Sequence, residues 1–284
     1  MKNVKFSYPG GKSDGNALHD ISFSIKPGQL VVIVGPNGSG KSTLLKLLTR
    51  LFDCTSGQVL VNEEDIRECK LSDLRSATAV LAQDYQIFPL SLAENIGMGN
   101  PEVVADQKLI QDSARKGGAD TFISKRVDKY STVLEPKAIH LLGQAAFKGD
   151  GSEIAQIYCN SKEEKEEISG GEQQRVAASR TFMRLTCGEV KLIIADEPSS
   201  NLDPRGESEM FRNLLNERQG KTMIFVTHRF GHLTKQADLI LCMKDGHLVE
   251  QGTHDKLMEI RGENGERGEY CKLYEIQARP FTDV

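Results

Sequence analysis

Leu30-Val31-Val32-Ile33-Val34-Gly35-Pro36-Asn37-Gly38-Ser39-Gly40-Lys41-Ser42-Thr43-Leu44-Leu45-Lys46-Leu47-Leu48 reads as a strand, a glycine loop and a helix in immediate succession. Residues 30–34 are apolar throughout, as a strand covered on both faces must be. From Gly35 to Ser42 the pattern G-x-x-x-x-G-K-[ST] fits without a gap. A triphosphate needs many donors close to its oxygens and leaves no room for side chains between them. Gly35, Gly38 and Gly40 let the backbone curl so that successive N–H groups point inward. A helix beginning near Lys41 adds the positive end of its dipole. Lys41 is placed to reach the β- and γ-phosphates, and Ser42 to hold Mg²⁺ through its hydroxyl. The stretch implies ATP or GTP on residues 35–43, with Pro36, Asn37, Ser39 and Thr43 completing the cradle. The competing reading is a glycine turn that merely closes an ordinary βα unit; strand, loop and helix all sitting where the motif requires them argues against it.

Outward from the loop, residues 4–8 alternate like a strand, and so do Ile21, Phe23 and Ile25 with Ser22 and Ser24 between them. The turn Pro27-Gly28 closes the second of these. The helix after the loop is expected to run to about Leu51. Further strands are expected at 58–61, 78–82, 191–195, 222–226 and 239–243. The turn at 244–247 leads into a hairpin strand at 248–250. Thr253 is the expected N-cap of a helix through Ile260, and 269–277 reads as helical. Helical patterns at 106–116, 119–127 and 171–185 lie where the strand signal fades. Residues 128–168 fit no single element, and Lys162-Glu163-Glu164-Lys165-Glu166-Glu167 reads as a solvated face. The expected organisation is one α/β domain over 1–284. Its core, 1–83 and 188–284, carries an antiparallel β portion, and a helical subdomain, 84–187, is inserted into it. There is no internal repeat.

Bulk properties narrow the function. A net charge of −4 over 284 residues gives no basic face, so no nucleic-acid partner is expected. The six cysteines are scattered without a C-x-x-C pair, which reads as reduced thiols and not as a zinc site. No apolar run is long enough to cross a bilayer, and no signal peptide is apparent. A strand so near residue 1 suggests a piece of something longer or a domain trimmed at its boundary.

Hydrolysis needs more than a cradle. Leu192-Ile193-Ile194-Ala195-Asp196-Glu197 is a buried strand ending in two acids. Asp196 is placed to anchor the Mg²⁺ water shell. Glu197, directed the other way from the strand end, is the candidate general base. A solvated acidic turn is the plainer reading of these acids by themselves; the glycine loop argues against it. Ile168-Ser169-Gly170-Gly171-Glu172-Gln173-Gln174-Arg175, by itself, is only a good helix start with a hydroxyl cap and an early acid.

At this segment the chain resembles the ATP-binding cassette family, the nucleotide-binding domains of ABC transporters. The family signature Leu-Ser-Gly-Gly-Gln is matched here by Ile-Ser-Gly-Gly-Glu. The resemblance covers nearly the whole chain and implies a RecA-like P-loop NTPase core. It assigns Tyr8 to stacking on adenine and Gln83 to a loop that touches Mg²⁺ and senses the membrane partner. It assigns Ser200-Asn201-Leu202-Asp203 to the D-loop, and His228 to the switch histidine near the γ-phosphate. It also implies the mechanism. Two cassettes, in a homo- or heterodimer, close head to tail, and Ser169, Gly170, Gly171 and Glu172 of one face the ATP held by the other. Asp203 crosses this interface. A transmembrane domain, linked or separate, would place the cassette at the cytoplasmic face of a membrane. Residues 85–96 and Asp73-Leu74-Arg75 resemble exporter-type cassettes. Ile87, Phe88 and Leu90 then either receive a helix of the membrane domain or pack inside the helical subdomain.

The chain departs from the family at Glu172, which puts a negative charge near a phosphate, at Asn201 and at Ala195. It also departs at the Lys/Glu run where exporters carry a Gly/Glu/Arg-rich segment. Two other classes compete with the transporter engine. One is a soluble cassette ATPase acting on ribosomes or chromosomes, which usually carries two cassettes or a long coiled coil. The other is a nucleotide sensor without turnover, which Glu197 and His228 argue against.

Overall fold

The computed structural model describes residues 1–10, 16–134, 168–227, 232–262 and 265–278. The Lys/Glu run and His228 lie outside them. Chain contacts divide the protein into two compact units, one of residues 1–83, 189–197 and 217–284, the other of 84–188 and 198–216.

The first unit is built on strands. A three-stranded antiparallel sheet has β1 (Lys2–Phe6) between β2 (Leu18–Ile21) and a third strand, Ser56–Gln58. With β3 as Leu30–Val34, that third strand is β4; β5 (Leu60–Val61) and β6 (Glu64–Asp65) make a small ribbon. β7 (Thr78–Leu81), β8 (Leu192–Asp196), β9 (Thr222–Val226), β10 (Leu239–Lys244) and β11 (His247–Gly252) join β3 in a six-stranded sheet of order β11-β10-β3-β9-β8-β7. All its pairings are parallel except the β10–β11 hairpin. β3 is buried at every residue, which its unbroken apolar run predicts. The hairpin turns on Asp245 and Gly246, both at positive φ, as a two-residue turn between twisted strands requires. Helices α1 (Lys41–Leu48) and α2 (Leu71–Ser76) follow in this unit.

The second unit is helical: α3 (Leu92–Gly97), α4 (Gln107–Gly117), α5 (Asp120–Ile123), α6 (Gly170–Leu185) and α7 (Pro204–Asn216). Leu92, Ile96, Ile110, Ala114, Ile123, Val176 and Met183 form its core. Back in the first unit come α8 (His232–Gln236), α9 (His254–Glu259) and α10 (Glu269–Ala278).

Several expected elements change. β1 ends at Phe6, short of Tyr8. Residues 22–26 keep the expected in-and-out alternation but hold no ladder; the strand lies earlier, at β2, where Val4 and Phe6 offer partners. The expected strand at 58–61 divides between two sheets. α1 stops at Leu48, where the Thr49 hydroxyl bonds back to the Leu45 carbonyl, and Leu51 is exposed. Of 119–127 only Asp120–Ile123 is helical. Thr253 does precede α9, but its side chain makes no capping bond. α2, α3, α7 and α8 were not anticipated. Signals for two of them exist: Ser91 and Glu94 form a capping box at α3, and Pro204 opens α7.

Candidate functional site

The glycine loop connects the carboxyl end of central β3 to α1, the place where open α/β sheets hold ligands. It lines a cleft of about 820 Å³ in the first unit. Residues 35–43 all line it, together with Tyr8, Ala17, Gln83, Glu197 and Leu273. Gly35, Gly38 and Gly40 have φ of 150°, 78° and 97°. A Cβ on Gly35 would sit 2.2 Å from the Met243 carbonyl oxygen, and one on Gly40 2.7 Å from Leu18 Cδ2. A Cβ on Gly38 would meet nothing within 4 Å. The loop is therefore tight against the protein at two glycines and open at the third.

α1 begins at Gly40 with no side-chain cap. Its first N–H groups thus keep their capacity for an anion from outside. Lys41 is 6% exposed, and its amine donates to the carbonyls of Gly35 and Pro36, each at 2.9 Å. Burial lowers its pKa, while Glu197 and Asp196 pull it back up. The ammonium is thus held within the field of both acids. Ser39 Oγ is buried without a hydrogen-bond partner among the described atoms. A polar group left so costs roughly 1–3 kcal/mol.

Glu197 takes a positive φ of 46°, unusual for a residue with a side chain, and its N–H donates to the Val226 carbonyl at 2.9 Å. This bond carries the β8–β9 pairing one residue past β8, and Glu197 lines the cleft. Tyr8 is 37% exposed; its hydroxyl is 3.0 Å from that of Thr43. Phe6 and Phe52 pack edge-on to its ring, and Lys46 Nζ lies 5.5 Å from the ring centroid. Ser42, Gln83 and Asp196 present a hydroxyl, an amide and a carboxylate, hard oxygen donors of the kind Mg²⁺ takes. Among the described residues no three His, Cys, Asp or Glu side chains form a metal cluster. Ser42 and Gln83 line the cleft, and Asp196 directly precedes Glu197, which also lines it; these oxygen donors are of a kind that suits Mg²⁺.

The signature turn lies in the second unit and has another construction. Ser169 Oγ accepts from the Glu172 N–H at 3.3 Å, and Glu172 Oε2 accepts from the Ser169 N–H at 2.8 Å. This reciprocal box caps α6. Arg126 stands 3.8 Å from the other Glu172 oxygen. Further along α6, Gln174 Nε2 donates to the Pro198 carbonyl at 2.7 Å and its Oε1 accepts from the Asn201 N–H at 2.8 Å. Arg175 pairs with Asp203 at 3.3 Å. Ser169, Asn201 and Asp203 are exposed. The two alternatives for 87–90 divide between residues. Ile87 packs on the helical core, while Phe88 is 39% exposed beneath the Arg180 guanidinium, 5.1 Å from its ring.

Sequence reasoning missed Ala17 and Leu273 as cleft residues; neither carries a chemical signature. It also missed Tyr85, Gln174 and Arg175, whose partners lie far along the chain. The five described cysteines are all free thiols, and no described helix is long and apolar enough to cross a membrane.

A P-loop α/β core with a helical unit carrying its own capped signature turn defines a class, and comparison with known proteins agrees. The model of the ABC transporter family matches residues 18–200. The chain belongs to that family. It is 34% identical over 277 residues to ABC transporter B family member 24, mitochondrial, of Arabidopsis thaliana, covering 98% of this chain and 34% of that protein. It is 32% identical to the ATP-dependent lipid A-core flippase of Escherichia coli (strain K12), covering 98% and 40%. A bacterial Atm1-family ABC exporter solved with ATP bound superposes with a TM-score of 0.79 at 28% identity, over 98% of this chain and 41% of that one. The chain thus spans little more than a third of the length of these relatives.

Proposed function

We propose that residues 1–284 form one ATP-hydrolysing cassette that drives transport through a membrane-spanning domain, on the same natural chain or another. The observation that carries this reading is the cleft, where an uncapped helix start, a buried lysine and Glu197 converge within one unit. ATP would lie along residues 35–43 with its base toward Tyr8. Its phosphate oxygens would take the loop N–H groups, the Lys41 ammonium and the buried Ser39 hydroxyl. Mg²⁺ would supply charge neutralisation there, held by Ser42, Asp196 and Gln83. Glu197 would take the proton of the attacking water, and His228 would act beside the γ-phosphate. A second cassette, like or unlike, would close over the site with Ser169 and Gly171 as donors, and Asp203 would cross between them. The exporter relatives support a location at the cytoplasmic face of a membrane.

The test is Glu197→Gln. Phosphate release is expected to fall by at least about a hundredfold, while ATP binding persists and the paired form accumulates on sizing. The rate per wild-type chain should fall on dilution. Unchanged phosphate release in the variant would remove Glu197 from the role, and a rate independent of dilution would remove the pairing.

A further inference from the structure

Three stretches of the second unit meet at one phenol oxygen. Tyr85 Oη donates to the Gly170 carbonyl at 3.0 Å and accepts from Asn201 Nδ2 at 3.1 Å. Asn201 is gripped from its other side, since its N–H donates to Gln174 Oε1. A Cβ on Gly171 would lie 3.0 Å from the Asn201 carbonyl oxygen, so this loop also packs on the turn itself. Two adjacent glycines are an entropically poor way to begin a helix. The capping box fixes Ser169 and Glu172. The Gly170 carbonyl, in the first turn of α6, takes the Tyr85 hydroxyl as an additional donor from outside the helix.

We propose that Tyr85 and Asn201 form a latch that positions the turn at 169–171, so that its outward donors keep one aim. This rests on the reading that the turn serves the nucleotide of a second copy. Tyr85 and Asn201 touch no nucleotide in that scheme; they act through Gly170. The latch also ties Tyr85, which opens the exporter-like stretch 85–96, to the turn by a direct hydrogen bond.

The test uses Tyr85→Phe, which keeps the ring and removes the oxygen, with Asn201→Ala and the double variant. Two readouts are compared: amide exchange at Glu172 and Gln173, and ATP turnover alongside the binding of a fluorescent ATP analogue. Each single variant should exchange faster at those amides. Each should lose about fivefold in saturated turnover, the worth of one hydrogen bond, with analogue affinity unchanged. The double variant should be no worse than the weaker single, because either change breaks the same relay. Unaltered exchange overturns the latch. So do single effects that multiply, or a turnover loss matched by weaker analogue binding. If wild-type turnover proves indifferent to dilution, the two-copy reading falls, and the exchange result still decides whether the latch exists.

Discussion

The loop at 35–43 and the turn at 168–173 are both glycine-rich entries to a helix, yet they treat the helix end in opposite ways. α1 starts at left-handed Gly40 with no side chain on its N–H groups. α6 starts at Ser169 inside a closed capping box. Each helix end leaves donors without intrahelical partners. The first end reserves them for a ligand and accepts the cost in its free state. The second satisfies two of them internally and stands finished without a ligand. Ser169 still has something to give, because a hydroxyl that accepts from Glu172 retains its own hydrogen. The contrast separates a helix end left open for a ligand from one closed by its own side chains.

Alanine at the two glycine positions breaks the comparison most sharply. Gly35→Ala puts a Cβ 2.2 Å from the Met243 carbonyl oxygen at a φ of 150°. The combined overlap and strain should cost about 3 kcal/mol, visible as a lowered denaturation midpoint and lost nucleotide binding. Gly170→Ala meets nothing within 4 Å and has no positive φ. It should fold at least as stably as the parent, since alanine is the better helix former. Its own loop should bind nucleotide normally, while turnover falls if the proposed pairing brings a partner's phosphates to the place of the added methyl. Equal damage from both substitutions would erase the distinction between the two turns.

A smaller effect probes the capped turn. Glu172→Ala removes one half of the box and one partner of Arg126. The loss should be about 1 kcal/mol, read by chemical denaturation. Glu172→Gln, which keeps the reach of the side chain, should recover most of it. If the glutamate acts mainly by repelling a neighbouring phosphate, as its place in the signature suggests, the glutamine variant will also pair at lower ATP concentration than the parent.

The same contrast explains what the sequence disclosed. The cradle was legible because its parts are contiguous: strand, glycines, lysine and helix occupy residues 30–48 without interruption. The parallel strands were legible as unbroken apolar runs, and Thr222–Val226 came out with its ends in place. The turn was legible only as a cap plus a resemblance, since what fixes it comes from elsewhere. Tyr85, Gln174 and Asn201 meet across long stretches of chain, and no local pattern announces such a meeting. Leu273 is invisible for the same reason: one apolar residue among several in α10 gains meaning only once that helix is docked. The helix expected over 119–127 stops at Ile123, and Val127 beyond it is 88% exposed.

The smallest predicted effect tests whether the cradle has a weakness the turn does not share. Glu250 accepts from the Glu269 and Tyr270 N–H groups at the start of α10, and His254 Nδ1 lies 2.8 Å from the Tyr270 hydroxyl. The same helix brings Leu273 to the cleft. Burial holds His254 below the ordinary imidazole range, with Lys235 adding to the effect and Asp255 opposing it. A base whose folded pKa is lowered favours the fold when neutral. Its contribution is complete above the unfolded value of about 6.5 and fades as pH falls through the folded one. Mild acid should therefore loosen α10 and weaken nucleotide binding by the cradle before it alters amide exchange at Glu172 and Gln173. His254→Gln, which cannot take up a proton, should flatten that part of the pH profile. A parent and variant that weaken in parallel between pH 7 and 5.5 would show that His254 is not the sensitive group.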